Sequence, residues 1–359
     1  EYRSKGTTNF KLMDQRALNT LCIEARNQGI NCWDKDVSRL MCSKKIANYH
    51  PFQDYLEHLP LWDGQDRVTE LARRVSDNPV WINGFHRWML GMVAQWLGYP
   101  ARCANALAPI LISTEQGMCK STFCSILLPE ELREYYTDKF TINATSGCEQ
   151  KISTFGLINM DEFDQYTERM MTILKNLMQM KKVNYRKCFK AYYSDLPRIA
   201  SFIGTSNEKS LLTDETGSRR FLCVEVKEKI DCTRPDYAQL YAQLKQEVMN
   251  GERDYLTKEE ERELQQRNKR FYRQSLLEDV FFACFHAPVG EEEGRWFTAA
   301  QLFQIMVKRN PSALRGMTAK QLSHHLQSLG LKYKHTNHGN YYLVVLQDVA
   351  LQRAERQAV

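Results

Sequence analysis

The sequence predicts an α/β fold with a largely parallel central sheet, preceded by a helical region and followed by a small winged-helix-like domain. The main evidence is a set of short apolar runs that end in polar residues, namely 106–113, 155–163, 198–207 and 219–226. Helical stretches separate these runs, and such alternation is typical of parallel α/β sheets. Ligands of these sheets bind beyond the carboxyl ends of the strands, so the polar residues there are candidate site residues.

Length and composition indicate a globular protein of more than one domain. The chain has 359 residues, 43% of them hydrophobic, and a formal charge of +6 that is too small to identify a nucleic-acid partner. Its eleven cysteines include no C-x-x-C pair, which favours free thiols in a reducing compartment over a zinc site or disulfides. The sequence has neither a signal peptide nor an apolar run of 18 residues, so we expect a cytoplasmic protein without a membrane anchor. The missing initiator Met indicates a fragment, so an upstream domain could be absent.

Changes of pattern divide the chain into five segments. The first is rich in helical spacing, and its tryptophans at positions 62, 81, 88 and 96 are expected in the core. The last compact segment has two amphipathic helices and a hairpin expected to turn near Gly339 and Asn340. The predicted segments are a helical region at 1–103, an α/β core at 104–230, a helical connector at 231–290, a winged-helix-like domain at 291–349 and a tail at 350–359.

The segment LISTEQGMCKSTF, residues 111–123, resembles a phosphate-binding loop. Lys120 would hold the β- and γ-phosphates of a nucleotide and the Ser121 hydroxyl would bind Mg²⁺, as in G-x-x-x-x-G-K-[ST] loops. Thr114 and Cys119 replace the two glycines of that pattern, so the loop alone is as compatible with a chance strand-turn-helix. The predicted nucleotide-binding residues are Gln116, Gly117, Met118, Cys119, Lys120, Ser121 and Thr122.

An acidic pair, Asp161 and Glu162, ends the second apolar run. Acids at the end of a buried strand are costly unless they leave the core at a functional edge. Asp161 is therefore predicted to bind Mg²⁺ and Glu162 to activate water, although an ordinary acidic turn is as good an explanation of the pair in isolation.

Asn207 ends the third run, where its amide could contact the attacking water or the γ-phosphate. Arg219 and Arg220 stand directly before the fourth run. Arginine suits the charge that develops on a transferring phosphoryl group, because its planar fork makes two hydrogen bonds. Paired arginines before a strand are more often surface charge, but their order after Lys120 and Asp161 favours a nucleotide site.

A basic segment between the second and third runs, residues 180–198, is the candidate DNA-binding region. Its cations would follow phosphates without sequence preference, and its aromatic residues could stack on bases. A solvated loop with inward-facing aromatics is the alternative. The predicted DNA-binding residues are Lys181, Lys182, Arg186, Lys187 and Lys190, and Arg198 belongs to the same segment.

Four stretches, EQGMCKSTF, INMDEFD, FIGTSNEKSLLTDETGSRRF and YHPFQDYLEHLPLWDGQDRV, resemble the virulence-associated E family, relatives of the poxvirus-type primase-helicases. The resemblance runs from about Tyr49 to Leu256. It implies an AAA+ P-loop ATPase core of the superfamily-three helicase type, with ATP sites between the subunits of a ring. The resemblance implies that Lys120 and Ser121 belong to the Walker A motif and that Asp161 and Glu162 form the Walker B motif. It also implies that Asn207 is the sensor 1 residue.

The same resemblance implies that Arg220 is the arginine finger for a neighbour's ATP, with Arg219 as second choice. Relatives often carry an upstream primase domain, and nothing in this chain resembles one. The expected function is a replicative DNA helicase of a mobile element or prophage, a hexameric ring that uses ATP and Mg²⁺ on single-stranded or forked DNA. A primase domain or partner could accompany it. The alternatives are a DNA-binding nucleotide switch or regulator with weak or no ATPase, and a helicase-like scaffold.

Overall fold

A computed structural model describes most of the chain, in two compact units that we treat separately: Glu1–Phe271 and Tyr272–Val359. The described residues are 15–41, 43–46, 49–98, 104–142, 147–185, 194–212, 218–272, 276–290, 292–312, 314–328, 331–336 and 339–347.

Helices open the first unit, as the sequence predicts. They are α1 (Gln15–Asn27), α2 (Asp34–Met41), α3 (Pro51–Glu57), α4 (Arg67–Arg73) and α5 (Pro79–Leu97). The longest of them, α5, has clear end signals. The side chain of Asn78 accepts hydrogen bonds from the first free backbone N–H groups, Pro79 occupies the first turn, and Gly98 ends the helix at φ 70°.

A five-stranded parallel sheet forms the centre of this unit. Its strands are β1 (Ala108–Ile112), β2 (Tyr136–Thr137), β3 (Leu157–Met160), β6 (Ser201–Ser206) and β7 (Phe221–Glu225), in the order β2-β3-β6-β1-β7. All four neighbouring pairs are parallel. The predicted parallel α/β sheet is therefore confirmed, and each of the four apolar runs contains one of its strands.

The remaining elements of the first unit connect these strands or follow the last one. They are α6 (Lys120–Ile126), α7 (Cys148–Thr154), α8 (Glu168–Gln179), β4 (Lys182–Tyr185), β5 (Ser194–Pro197), α9 (Tyr237–Met249), α10 (Lys258–Asn268) and 3-10 turns at Glu130–Tyr135, Phe163–Gln165, Ser218–Arg220 and Lys269–Phe271. The pair β4 and β5 forms a separate antiparallel hairpin.

Helix α5 packs closely against the sheet and shares one hydrophobic core with it. A Cβ atom on Gly84 would lie 2.8 Å from both terminal methyl groups of Leu222, so glycine permits this approach of helix to strand β7. Trp81, Trp88 and Trp96 are buried as predicted. Trp62 is only half-buried, because its indole N–H reaches the carbonyl of Gln65 at 2.8 Å in a surface turn instead of entering the core.

The second unit combines helices with a small antiparallel sheet. Its elements are α11 (Leu276–Cys284), β8 (Phe285–His286), β9 (Arg295–Thr298), α12 (Ala299–Arg309), α13 (Ala319–Ser328), β10 (Tyr333–Thr336) and β11 (Gly339–Leu346). Strand β11 pairs with β10 on one side and with β8 and β9 on the other. The two predicted helices and the hairpin are present, and the assignment to the winged-helix class stays a prediction.

Candidate nucleotide-binding site

The loop between β1 and α6 lies at the carboxyl edge of the sheet, where β1 is flanked by β6 and β7. Its backbone passes through the left-handed region twice, at Gly117 (φ 78°) and at Cys119 (φ 60°). Left-handed φ costs a non-glycine residue about 1–2 kcal/mol, which explains why the motif has glycine before the Lys. Thr114 has no positive φ, so the first replaced glycine carries no such strain.

Lys120 bridges the ends of two strands. It is 8% exposed, and its Nζ donates to the carbonyl oxygen of Ser113 at 3.0 Å and to Oδ1 of Asn207 at 2.9 Å. Burial lowers the pKa of the Lys120 ammonium, and the charges of Asp161 and Asp164 oppose this shift. A buried cation held by neutral oxygens, with carboxylates nearby, is a suitable counter-charge for phosphate.

The carboxylate of Asp161 meets hydroxyl groups from two other elements. Its Oδ1 accepts from Oγ of Ser121 at 3.1 Å and from Oγ1 of Thr205 on β6. Adjacent ligand atoms of an octahedral Mg²⁺ lie about 2.9 Å apart, since each is about 2.05 Å from the ion. The oxygens of Ser121 and Asp161 therefore fit neighbouring positions of one Mg²⁺ shell.

No cluster of three His, Cys, Asp or Glu side chains that could hold a metal occurs in the described part of the chain. In nucleotide sites Mg²⁺ commonly uses only one or two protein carboxylates.

Glu162 lies beside Asp161 at the start of the 3-10 turn Phe163–Gln165. Its φ of 51° makes Glu162 and Cys119 the two non-glycine residues with positive φ among all described residues. Strained backbone of this kind is concentrated at functional sites. Its Oε2 accepts from Nε2 of Gln165 at 2.7 Å, which fixes one face of an otherwise exposed carboxylate.

Asp164 also lies at the candidate site, although the sequence did not identify it. Its Oδ1 accepts from Oγ of Ser206 at 2.9 Å and from the backbone N–H of Asn207 at 3.3 Å. The turn after β3 thereby holds the end of β6 and the backbone of the residue that contacts Lys120. The available signal was the third acid of MDEFD, because a single 3-10 turn returns that position to the sheet edge.

Arg219 and Arg220 lie at the opposite edge of the sheet. They form the 3-10 turn that leads into β7, whose first residue pairs with Ala108 at the start of β1. A five-residue strand spans about 16 Å, so these arginines cannot join Lys120 within one subunit. The fold thus brings Lys120 and Asp161 to the same edge of the sheet. Arg219 and Arg220 lie at the opposite edge.

The two arginines line a cavity of about 280 Å³, which also includes Asp254 and Tyr255. Arg219 is paired there with Glu261, at 3.2 Å from Nη1 to Oε2. The side chain of Arg219 is 46% exposed. Such surface pairs contribute little to stability, so the pairing leaves Arg219 open to exchange for another anion.

Two of the predicted DNA-binding residues, Lys181 and Lys182, are exposed beside the β4–β5 hairpin. Arg186, Lys187 and Lys190 lie outside the described residues.

Arg198 does not belong to this basic surface, contrary to its grouping in the sequence. It is 3% exposed, and its guanidinium donates to the carbonyl oxygens of Ala200 (2.9 Å), Asn105 (2.8 Å) and Met178. Burial lowers its pKa to about 9. Arg198 therefore has a structural role as a hydrogen-bond donor to buried backbone carbonyls. Asn105 and Met178 are far from Arg198 in the sequence, so the local sequence could not predict these contacts.

Two family models together match most of the chain. The virulence-associated protein E-like domain matches residues 56–273, and a domain of unknown function described from a B. Theta gene (DUF3874) matches residues 274–344. Their border falls within two residues of the division between the two compact units. No curated protein matches the sequence.

Similar solved structures include two apo structures of the NrS-1 C-terminal region, residues 305–718 of that protein. Their TM-scores are 0.41 and 0.42 and their identities 12% and 11%; each match covers 81% of this chain and 78% of that one. This likeness is too distant to support any inference about function.

None of the helices in the described part of the chain is both long enough and apolar enough to cross a membrane. The first family model spans more than half of the chain and all of the residues around Lys120. The chain therefore belongs to the virulence-associated protein E-like domain family.

Proposed function

We propose that this protein is an ATP- and Mg²⁺-dependent DNA helicase that acts as a hexameric ring in the replication of a mobile element or prophage. The observation that carries the proposal is the meeting of four predicted residues beyond the carboxyl end of β1. Lys120 contacts Asn207 at 2.9 Å, and Ser121 contacts Asp161 at 3.1 Å. Each of these residue types has a defined task in phosphoryl transfer.

Binding of ATP would exchange the present partners of Lys120 for phosphate oxygens. The ammonium is held by the carbonyl of Ser113 and the amide of Asn207, and both acceptors are uncharged. A β- or γ-phosphate oxygen is a stronger acceptor because it carries charge. Asn207 would then be free to contact the γ-phosphate or the attacking water, which couples the end of β6 to the state of the nucleotide.

Mg²⁺ would be held by Ser121 and Asp161, and its charge would neutralise the β- and γ-phosphate oxygens. Glu162 would orient a water molecule and accept its proton. The water oxygen bonds to the γ-phosphorus in line as the bond to the bridging oxygen breaks, and the electron pair leaves with ADP. Because Oε2 of Glu162 accepts from Gln165, Oε1 would be the oxygen available to the water.

To act on ATP, the arginines would need a second subunit. Arg220 and Arg219 lie about 16 Å from the carboxyl end of the strands in their own chain, so they would act on the ATP of a neighbour. The exposed Lys181 and Lys182 would contact the DNA backbone.

DNA-stimulated ATPase activity tests the proposal. The unaltered chain should turn over ATP, and both Lys120→Ala and Glu162→Gln should lower kcat by at least about 100-fold, since each removes a group used in the transition state. Equal, background-level turnover in all three proteins would rule out the motor.

A nucleotide switch is the second candidate, and Cys119 is the observation that favours it. A non-glycine residue at φ 60° next to Lys120 is a departure from the motif that could slow turnover while binding persists. This candidate predicts ATP binding that Lys120→Ala abolishes, together with hydrolysis at background in the unaltered chain.

A scaffold that only assembles a replication complex makes a different prediction. It would form rings and bind DNA equally well with Lys120→Ala, and no nucleotide would support strand separation.

A further inference from the structure

The charge of the second unit is one-sided. From Arg295 to Gln347 the sequence contains seven Lys or Arg residues and no Asp or Glu. At the frequency of the whole chain, this stretch would contain about six acids. The segment carries +7 while the whole chain carries +6, so the remainder is −1. The positive charge of the protein is thus concentrated in this one segment.

These cations lie at the surface. They are Arg295, Lys308, Arg309, Arg315, Lys320, Lys332 and Lys334, and all seven are exposed. An ion pair of the second unit, between His286 and Glu292, lies just before residue 295 and includes none of these seven cations.

The cations are spread over both faces of the small sheet of the second unit. The hydroxyl of Tyr342 on β11 contacts both the hydroxyl (3.2 Å) and the carbonyl oxygen (3.1 Å) of Ser323 on α13. Tyr342 also stands opposite Tyr333 of β10. Successive side chains of a strand point to opposite faces of the sheet, so Lys332 and Lys334, the neighbours of Tyr333, lie on the face away from α13. Lys320 lies on α13 itself, one turn before Ser323.

Aromatic residues accompany Lys334 of strand β10. Nζ of Lys334 lies 4.4 Å from the ring centroid of Trp296 and 5.7 Å from that of Tyr341. Tyr333, the neighbour of Lys334, is 55% exposed. Cations next to exposed aromatic rings are typical of surfaces that bind the backbone and bases of nucleic acids.

Two ordinary explanations account for less of this pattern. Lysines on an edge strand such as β10 prevent strand-to-strand aggregation, and surface charge maintains solubility. Both purposes are served by acids as well as by bases, and mixed surfaces are the norm. Neither explains the absence of every acid over 53 consecutive residues, helices included.

We propose that the second unit binds the phosphodiester backbone of DNA through these exposed cations, which include Arg315, Lys320, Lys332 and Lys334. This extends the proposed helicase function by a DNA contact outside the unit that contains Lys120. Binding would be electrostatic and independent of sequence, because lysine and arginine contacts to phosphate carry no base information. It also requires no nucleotide.

The test is the salt dependence of DNA binding by the full chain in the absence of nucleotide, followed by fluorescence anisotropy. The variant is Arg315→Gln/Lys320→Gln/Lys332→Gln, which leaves Lys334 and its ring contacts intact. The matched control removes the same charge from exposed positions of the first unit, Lys35→Gln/Lys44→Gln/Lys258→Gln. Both are measured on a mixed-sequence single strand and on its duplex, between about 50 and 200 mM salt.

Three lost phosphate contacts should reduce the slope of log Kd against log salt by about 2.7 on duplex or about 2.1 on a single strand. The affinity at 0.15 M salt should fall on the order of 100-fold, and the control should match the unaltered chain. A slope change on only one DNA form identifies that form as the ligand.

Unchanged affinity and slope in the triple variant would overturn the proposal, as would an equal loss in the control. A change of oligomer size with unaltered DNA binding would also overturn it and assign the surface to subunit packing. Since no ATP is present, absence of ATPase activity leaves this result unaffected.

Discussion

The left-handed backbone of Cys119 makes a prediction that can be worked out in energy. Glycine at this position would remove a strain of about 1–2 kcal/mol. Glycine also gives the unfolded chain more conformational freedom, which costs about 0.4–1 kcal/mol. The matched control is Cys119→Ala, which removes the thiol and its 3.6 Å contact with the carbonyl of Gly117 but keeps the Cβ atom.

The difference between the two variants excludes the thiol and leaves the backbone strain less the cost of the freer unfolded chain. Cys119→Gly should be more stable than Cys119→Ala by about 0.5–1 kcal/mol, which corresponds to about 1–4 °C in Tm for a unit of this size. Differential scanning calorimetry measures it. If Cys119→Ala were as stable as Cys119→Gly, the backbone at this position would not be left-handed.

The ATPase rates of the same proteins separate the two candidate functions. A marked rise in rate with Cys119→Gly would indicate that the native loop slows ATP hydrolysis, and no change would indicate that Cys119 does not affect turnover.

Three further substitutions test other contacts. Asp164→Ala removes the acceptor that holds the backbone of Asn207, so kcat of the ATPase should fall about tenfold with KM little changed, and Asp164→Asn, which keeps Oδ1, should recover most of it; equal loss in both would contradict a positioning role. Arg198→Ala should lower the free energy of unfolding by about 3 kcal/mol in a denaturant titration, because three buried carbonyls lose the guanidinium as a donor, and of these the carbonyl of Ala200 keeps a second donor, Nε2 of Gln95. A loss of DNA affinity without loss of stability would contradict this. Gly84→Ala should destabilise by about 1 kcal/mol despite the better helix propensity of alanine, since the new Cβ would meet Leu222 at 2.8 Å; a stabilised protein would show that helix and strand are further apart.

The central sheet could be predicted from the sequence because its strands are buried on both faces. All four residues of Leu157–Met160 are buried, as are all six of Ser201–Ser206, so neither strand alternates between buried and exposed positions. Strand β2 was missed because it lacks this burial. It is only two residues long, Tyr136–Thr137, and both are half-buried.

The candidate site was predictable in so far as its residues directly follow strands. Lys120, Asp161 and Asn207 could be assigned to one edge because the strands are parallel. Asp164 and Thr205 escaped notice because their roles depend on the angle of a 3-10 turn and on the neighbouring strand. Arg219 and Arg220 lie away from the site because they precede strand β7, whereas the site residues follow their strands. Strand order alone does not show which groups the arginines contact.

The most direct measurement of the central claim is ATP binding in the presence of Mg²⁺, by isothermal titration calorimetry on the unaltered chain and on Lys120→Ala. The account predicts saturable binding at one site per chain, lost in the variant while its Tm stays within a few degrees of that of the unaltered chain. ATP affinity that is equal in the two proteins would contradict the assignment of Lys120, Ser121 and Asp161 to a nucleotide site.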